Sequence, residues 1–149
     1  MIRLSRLTDY AIVIVAELSR QPGQLLAATE LSAKTKIPEP TVAKVLKILA
    51  RAQVLQSARG VNGGYVIMRA LSDISVGELI EAMNGPISLT ECVGEESSDC
   101  LIADSCLLRG RWQPVNAAIR VAFSSVKLSD MIRTECAGCT MHSQEQKAL

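Results

Sequence analysis

Residues 37–68 read Ile37-Pro38-Glu39-Pro40-Thr41-Val42-Ala43-Lys44-Val45-Leu46-Lys47-Ile48-Leu49-Ala50-Arg51-Ala52-Gln53-Val54-Leu55-Gln56-Ser57-Ala58-Arg59-Gly60-Val61-Asn62-Gly63-Gly64-Tyr65-Val66-Ile67-Met68. Two prolines make the start a turn, and Pro40 suits the first turn of a helix, where its missing N–H would have had no partner. Val42, Val45, Leu46 and Leu49 then recur at three- and four-residue steps. That spacing predicts a helix over 41–52 with a buried apolar stripe, leaving Thr41, Ala43, Lys44, Lys47 and Arg51 outward. After Ala52 the pattern changes. Val54 to Ala58 is expected to be a strand, and Tyr65 to Met68 the strand that returns. Between them Arg59-Gly60-Val61-Asn62-Gly63-Gly64 is a turn, because Asn and Gly tolerate positive φ.

Upstream, Leu7, Ala11, Ile12, Val15 and Leu18 predict a first helix over 8–20, with Thr8 as N-cap and Asp9 placed to favour the helix dipole. Gln21-Pro22-Gly23 ends it, and Ala28 to Lys36 reads as a short second helix with Ala28 and Leu31 inward. Downstream, Ser75 caps a helix reaching Met83, and Asn84-Gly85-Pro86 stops it. Helix, helix, tight turn, helix, hairpin is the order of a winged helix-turn-helix. The expected class is therefore mainly α with a small β-hairpin wing.

Residues 87–106 lack periodicity and carry Gly94, Ser97, Ser98, five acids (Glu91, Glu95, Glu96, Asp99, Asp104) and three cysteines. A loop this long in a compact domain is usually functional or disordered. Trp112, Val115, Ile119, Ala122, Phe123 and Val126 predict one long helix over 107–126, with Pro114 near its start and a further turn over 128–132. The expected organisation is a DNA-binding domain (1–84), a cysteine loop (85–110), a C-terminal helix region (111–132) and a polar, mobile tail (133–149).

At 149 residues, 48% hydrophobic and 21% charged, the chain has enough apolar surface for a packed core. No apolar run approaches the roughly 20 residues that cross a bilayer. The N-terminus lacks a small-residue cleavage site after an apolar stretch, so a cytoplasmic protein is expected. Net charge is +1, but unevenly spread. Residues 1–70 hold ten Lys or Arg against four acids, a balance of +6, and residues 71–149 a balance of −5. A basic front half suits a polyanion. An enzyme is not expected. There is no Gly-rich phosphate loop, no Ser/His/Asp set and a single His, in the tail. The remaining enzymatic possibility, a thiol oxidoreductase on Cys136-Ala137-Gly138-Cys139, lacks the βαβ setting such a motif needs.

The candidate DNA-contacting residues are Glu39, Thr41, Lys44, Lys47 and Arg51 on the third helix and Arg59, Asn62 and Tyr65 on the wing. Only the major groove distinguishes all four base pairs, so the third helix is expected there, with Glu39, Thr41 and Lys44 near bases and Lys47 and Arg51 on phosphates. An Arg on the wing can enter a narrow minor groove. All five cysteines lie in the back half. An odd count argues against a disulfide framework and for metal or redox chemistry. Cys92, Cys100 and Cys106, spaced C-x7-C-x5-C, suit thiolate ligation of an iron–sulfur cluster, though zinc accepts the same ligands.

Leu7-Thr8-Asp9-Tyr10-Ala11, Ile37-Pro38, the wing from Arg59 to Tyr65, Ile74-Ser75-Val76-Gly77-Glu78-Leu79-Ile80, the three spaced cysteines and Trp112 occur in one order. Over residues 1–132 the chain resembles the bacterial winged-helix iron–sulfur regulators that include IscR and NsrR. Segment 85–92 and Arg109-Gly110-Arg111-Trp112 look closest to the branch regulating the SUF cluster-assembly operon. The resemblance implies a homodimer, paired through the dimerisation helix region 111–132, on a pseudo-palindromic double-stranded DNA operator. It also implies repression of cluster-assembly genes and a cluster on Cys92, Cys100 and Cys106, expected to be [2Fe-2S] rather than [4Fe-4S]. The fourth ligand it suggests is Asp9 of the other subunit; Asp9 as a plain helix-capping carboxylate stays equally open. IscR-like members carry a His three residues after the third cysteine, where this chain has Arg109, which cannot ligate. Glu91, Cys136, Cys139 and His142 are other candidate ligands. The alternative is a zinc-binding or thiol-based redox-responsive winged-helix regulator without a cluster.

Overall fold

The computed structural model describes residues 3–60, 62–90, 93, 102, 105–108 and 110–132. Helix α1 spans Arg6–Ser19. Its N-cap is Ser5, not Thr8: the Ser5 hydroxyl accepts from the Thr8 amide at 3.2 Å. Thr8 is fully buried instead, and its hydroxyl accepts from Asn84 Nδ2 at 2.8 Å. Both hydroxyl residues precede the apolar run, but only Ser5 has the extended backbone of a cap (φ −70°, ψ 152°).

Helix α2, Ala28–Thr35, turns into α3, Glu39–Arg51, through Lys36 in the left-handed region (φ 62°). The Ser32 hydroxyl donates to the Ile37 carbonyl at 2.7 Å and holds this turn. The Pro38 carbonyl accepts from the Thr41 and Val42 amides, so α3 opens two residues before Thr41 with Pro40 in its first turn. Val42, Val45, Leu46 and Leu49 are completely buried, as their spacing predicts, against Ala11, Ile14, Val15 and Leu18 of α1 and Leu31 of α2.

The wing strands are shorter than expected. β1 is Gln56–Ala58 and β2 is Gly64–Val66, paired antiparallel with Ser57 opposite Tyr65. Val54 and Leu55 belong to the turn that leaves α3, where Gln53 has φ 59° and the Val54 amide donates to the Leu49 carbonyl at 3.0 Å. Both are buried, so core packing rather than strand pairing explains their apolar character. The hairpin gains a third partner that periodicity did not show. Leu26 and Tyr65 exchange both backbone hydrogen bonds, at 3.0 and 2.9 Å. Gly64 permits this, because a Cβ there would lie 2.7 Å from the Leu26 carbonyl oxygen.

A 3₁₀ turn (Leu71–Asp73) leads to α4, Val76–Asn84, capped by Ser75, whose hydroxyl accepts from the Glu78 amide at 3.1 Å. Arg69 joins the hairpin exit to α4, pairing both guanidinium nitrogens with the Glu78 carboxylate and donating to the Asp73 carbonyl at 2.8 Å. The Glu78 hydrogen bond raises the Arg69 pKa above its already high ordinary value.

The last long helix is a correction to the sequence reading. α5 spans Gln113–Ser125, 13 residues, and starts six residues later than Leu107. Leu107, Leu108, Gly110 and Arg111 form turns, with Gly110 at φ 73°. A left-handed residue there and a proline that needs the first helical turn together place the start after Trp112. At 1.5 Å per residue α5 is about 20 Å long. A short α6 follows, Leu128–Met131. Its entry is fixed by the Val76 amide donating to Val126 and the Leu128 amide to Ile74, each at 2.9 Å.

Candidate nucleic-acid interface and thiol site

α3 carries its two characters on opposite sides. The stripe Val42, Val45, Leu46, Leu49 faces the core, and Lys44, Lys47 and Arg51 lie together, exposed, on the reverse. Glu39 is exposed at the helix start and Thr41 is half-buried beside the basic strip. Arg59 and Asn62 are exposed on the hairpin, while Tyr65 is half-buried and packs against the core as well as anchoring Leu26. Several cations elsewhere are neutralised: Arg20 and Lys34 by Glu17, Arg69 by Glu78, Arg120 by Glu81. Among the described residues, Lys44, Lys47, Arg51 and Arg59 have no ion-pair partner, and neither do Arg3, Arg6, Lys36, Arg111 and Lys127; the first four stand out by sharing one helix face and the adjacent hairpin. Four unneutralised cations on a helix face and an adjacent hairpin form a surface suited to phosphates.

The thiol region is described in part. Cys106 is half-buried and not in a disulfide. Cys92, Cys100, Cys136, Cys139, Glu91, Arg109 and His142 lie outside the described residues. No group of three or more potential metal ligands converges among the described residues. Asp9 sits in the first turn of α1, exposed, and its carboxylate makes no hydrogen bond or ion pair among those residues. The cap is supplied by Ser5, so a capping function does not occupy Asp9. A half-buried free thiol and an uncommitted carboxylate are compatible with the donor set of a thiolate-bound cluster.

One residue of consequence was missed from sequence. Asn116 is the only buried residue of α5. Its Nδ2 donates to the Ile87 carbonyl at 3.0 Å and its Oδ1 accepts from the Leu89 amide at 3.1 Å. The available signal is its place in line with Trp112, Ile119 and Phe123 at helical spacing; the stripe Trp112, Val115, Ile119, Ala122, Phe123, Val126 is read from apolar residues, to which a polar one adds nothing. Of these, Ile119 and Phe123 are half-buried and Trp112 is 39% exposed. Val115 (45%), Val126 (40%) and Ala122 are exposed on the flanking strip.

A helix seated on α1, α2 and α4 and followed by a two-stranded antiparallel hairpin is the architecture of a winged helix-turn-helix. The profile of the Rrf2 family, described as iron-dependent transcriptional regulators, matches residues 4–134. The chain belongs to the Rrf2 family. It is similar to NsrR of Oceanobacillus iheyensis, 29% identical over 137 residues, covering 89% of this chain and 90% of that one. It is similar also to IscR of Sodalis glossinidius, 25% identical over 134 residues, with 89% and 80% covered. Among solved structures, CymR, the global cysteine regulator of B. subtilis, superposes with a TM-score of 0.65 at 26% identity, covering 89% of this chain and 97% of that one. Among the described residues no helix is long and apolar enough to cross a membrane.

Proposed function

We propose that this chain is a homodimeric, cytoplasmic repressor of iron–sulfur cluster-assembly genes whose operator affinity depends on an iron–sulfur cluster. The unneutralised cations of α3 and the wing carry the DNA half of this reading. Glu39, Thr41 and Lys44 read base edges, Lys47 and Arg51 hold phosphates, and Arg59, Asn62 and Tyr65 supply the wing contacts. Cys92, Cys100 and Cys106 are the thiolate ligands, with the partner subunit's Asp9 as fourth ligand; the likeness to NsrR and IscR supports the assignment. The uncovered strip Val115, Ala122 and Val126, with Trp112 beside it, supports a second copy docking along α5. Val115→Asp is expected to shift sedimentation toward the monomer and weaken operator binding. An unchanged dimer would remove α5 from the interface.

The deciding experiment is an anaerobic visible spectrum with iron and sulfide assays on wild type and Cys92→Ala, joined to operator binding. A coloured protein, bleached by the substitution and binding the operator differently from its iron-free form, is the expected result. A protein that stays colourless after reconstitution overturns the cluster and leaves a zinc- or thiol-based regulator. The likeness to CymR favours the thiol form of that second reading.

A further inference from the structure

The segment leading to Cys92 is held at both ends by asparagine amides. At its start, Asn84 closes α4 and donates to the Thr8 hydroxyl at 2.8 Å, while its Oδ1 accepts from the Ser5 hydroxyl at 3.1 Å. These contacts reach the first turn of α1, one residue from Asp9. At its end, Asn116 of α5 binds the Ile87 carbonyl and the Leu89 amide. Cys92 follows Leu89 by three residues.

The chemistry of the Asn116 contact is unlike the rest of the α5 packing. Phe123 already supplies apolar contact with the core, and apolar surfaces tolerate sliding. A side-chain amide that satisfies a carbonyl and an amide hydrogen two residues apart does not. Displacing residues 87–89 by a single residue would leave a donor and an acceptor unpaired next to a side chain that is 5% exposed. The contact therefore specifies register more than it adds stability.

We infer that Asn116 is a positioning residue: it fixes the register of residues 87–89 on α5, so that the state of the thiolates beyond Leu89 is transmitted to the helix on which the two subunits meet. This rests on the reading proposed above, in which DNA affinity depends on the thiol site. Residues 84–89 are then a strap between α1 and α5, and Asn116 is its fastening on the α5 side. Asn84 fastens it to the helix that bears Asp9.

The test compares full-length wild type with Asn116→Asp, Asn116→Ser and Arg120→Ala. The aspartate keeps the acceptor for the Leu89 amide and loses the donor to Ile87; the serine removes the fork with less charge. Arg120→Ala removes the pair with Glu81 that joins α5 to α4 and leaves the Asn116 contacts intact. For each, operator affinity is measured after anaerobic iron and sulfide reconstitution and after removal of iron by a chelator. The ratio of the two affinities is the readout. Couplings of this kind commonly amount to about 5–150-fold. The ratio is expected to fall toward one in both Asn116 variants and to persist in Arg120→Ala. A wild-type ratio preserved in Asn116→Asp, or in Asn116→Ser where the aspartate does not fold, overturns the inference while leaving the proposed function standing. A ratio lost equally in Arg120→Ala also overturns it, since any loosening of α5 would then suffice. A wild-type ratio of one overturns the proposed function itself, and the positioning role with it.

Discussion

α3 and α5 are both 13 residues long and both amphipathic, yet they are held in different ways. α3 has four completely buried aliphatic side chains. α5 has one buried residue, and it is polar. Beside the packing of Phe123 on the core, what holds α5 is specific: the Asn116 fork, the Arg120–Glu81 pair at 3.0 Å, and a close approach at Gly77, where a Cβ would lie 3.0 Å from Ser124 Oγ and 3.2 Å from its backbone nitrogen. A helix seated by many interchangeable apolar contacts keeps its place through small perturbations. A helix seated by a few directional contacts has a defined place that few changes are needed to alter. The first suits a helix that must present cations in a fixed array, the second a helix through which a signal passes.

Five substitutions probe that contrast. Leu46→Ala, in the centre of the α3 seat, removes a fully buried side chain. It is expected to cost about 2–5 kcal/mol of stability, read as a lower midpoint in urea. A loss under about 1 kcal/mol would mean that the core around α3 collapses onto the cavity. Next is the outward face of the same helix. Lys44→Ala is expected to weaken operator binding by about 1–3 kcal/mol with little effect on random DNA, whereas Lys47→Ala weakens both and lowers the salt slope by about one. Equal losses on both DNAs for Lys44→Ala would move that residue to the phosphates. On the α5 side, Gly77→Ala inserts a methyl between α4 and α5 and is expected to cost about 1–3 kcal/mol in thermal denaturation. A neutral result would show that α5 can ride outward freely. The smallest effect belongs to Arg120→Ala, whose partly exposed pair with Glu81 is worth about 0–1 kcal/mol and should fade with added salt.

The same contrast explains how much could be read from sequence. The α3 seat was legible because Val42, Val45, Leu46 and Leu49 form an uninterrupted stripe, and burial of such a stripe dominates helix placement. Lys44, Lys47 and Arg51 were legible as its complement. The wing turn was legible through Asn62, Gly63 and Gly64, but not the strand lengths, because Val54 and Leu55 are apolar for the core's sake. Nor was the Leu26–Tyr65 bridge, which joins residues 39 apart through backbone groups that every residue carries. In α5 the apolar spacing held across its start, yet Gly110 and Pro114 outweighed it. Thr8 and Asn116 were missed for one reason: each is a polar residue whose partner is distant in sequence. The cysteine spacing is a motif of the sequence, but Cys92 and Cys100 lie outside the described residues, so of the proposed cluster ligands only Cys106 and Asp9 have a described setting.

The bridge between Leu26 and Tyr65 bears on how fast such a protein can find its site. A hairpin fastened to the segment ahead of α2 at its base has its conformational entropy removed during folding, not at the moment of encounter. Preorganised partners then associate at a rate governed by diffusion and by the attraction between exposed cations and phosphates. On this basis the wing base adds little delay to docking, and the time spent on a wrong stretch of DNA is governed by how few contacts that stretch returns.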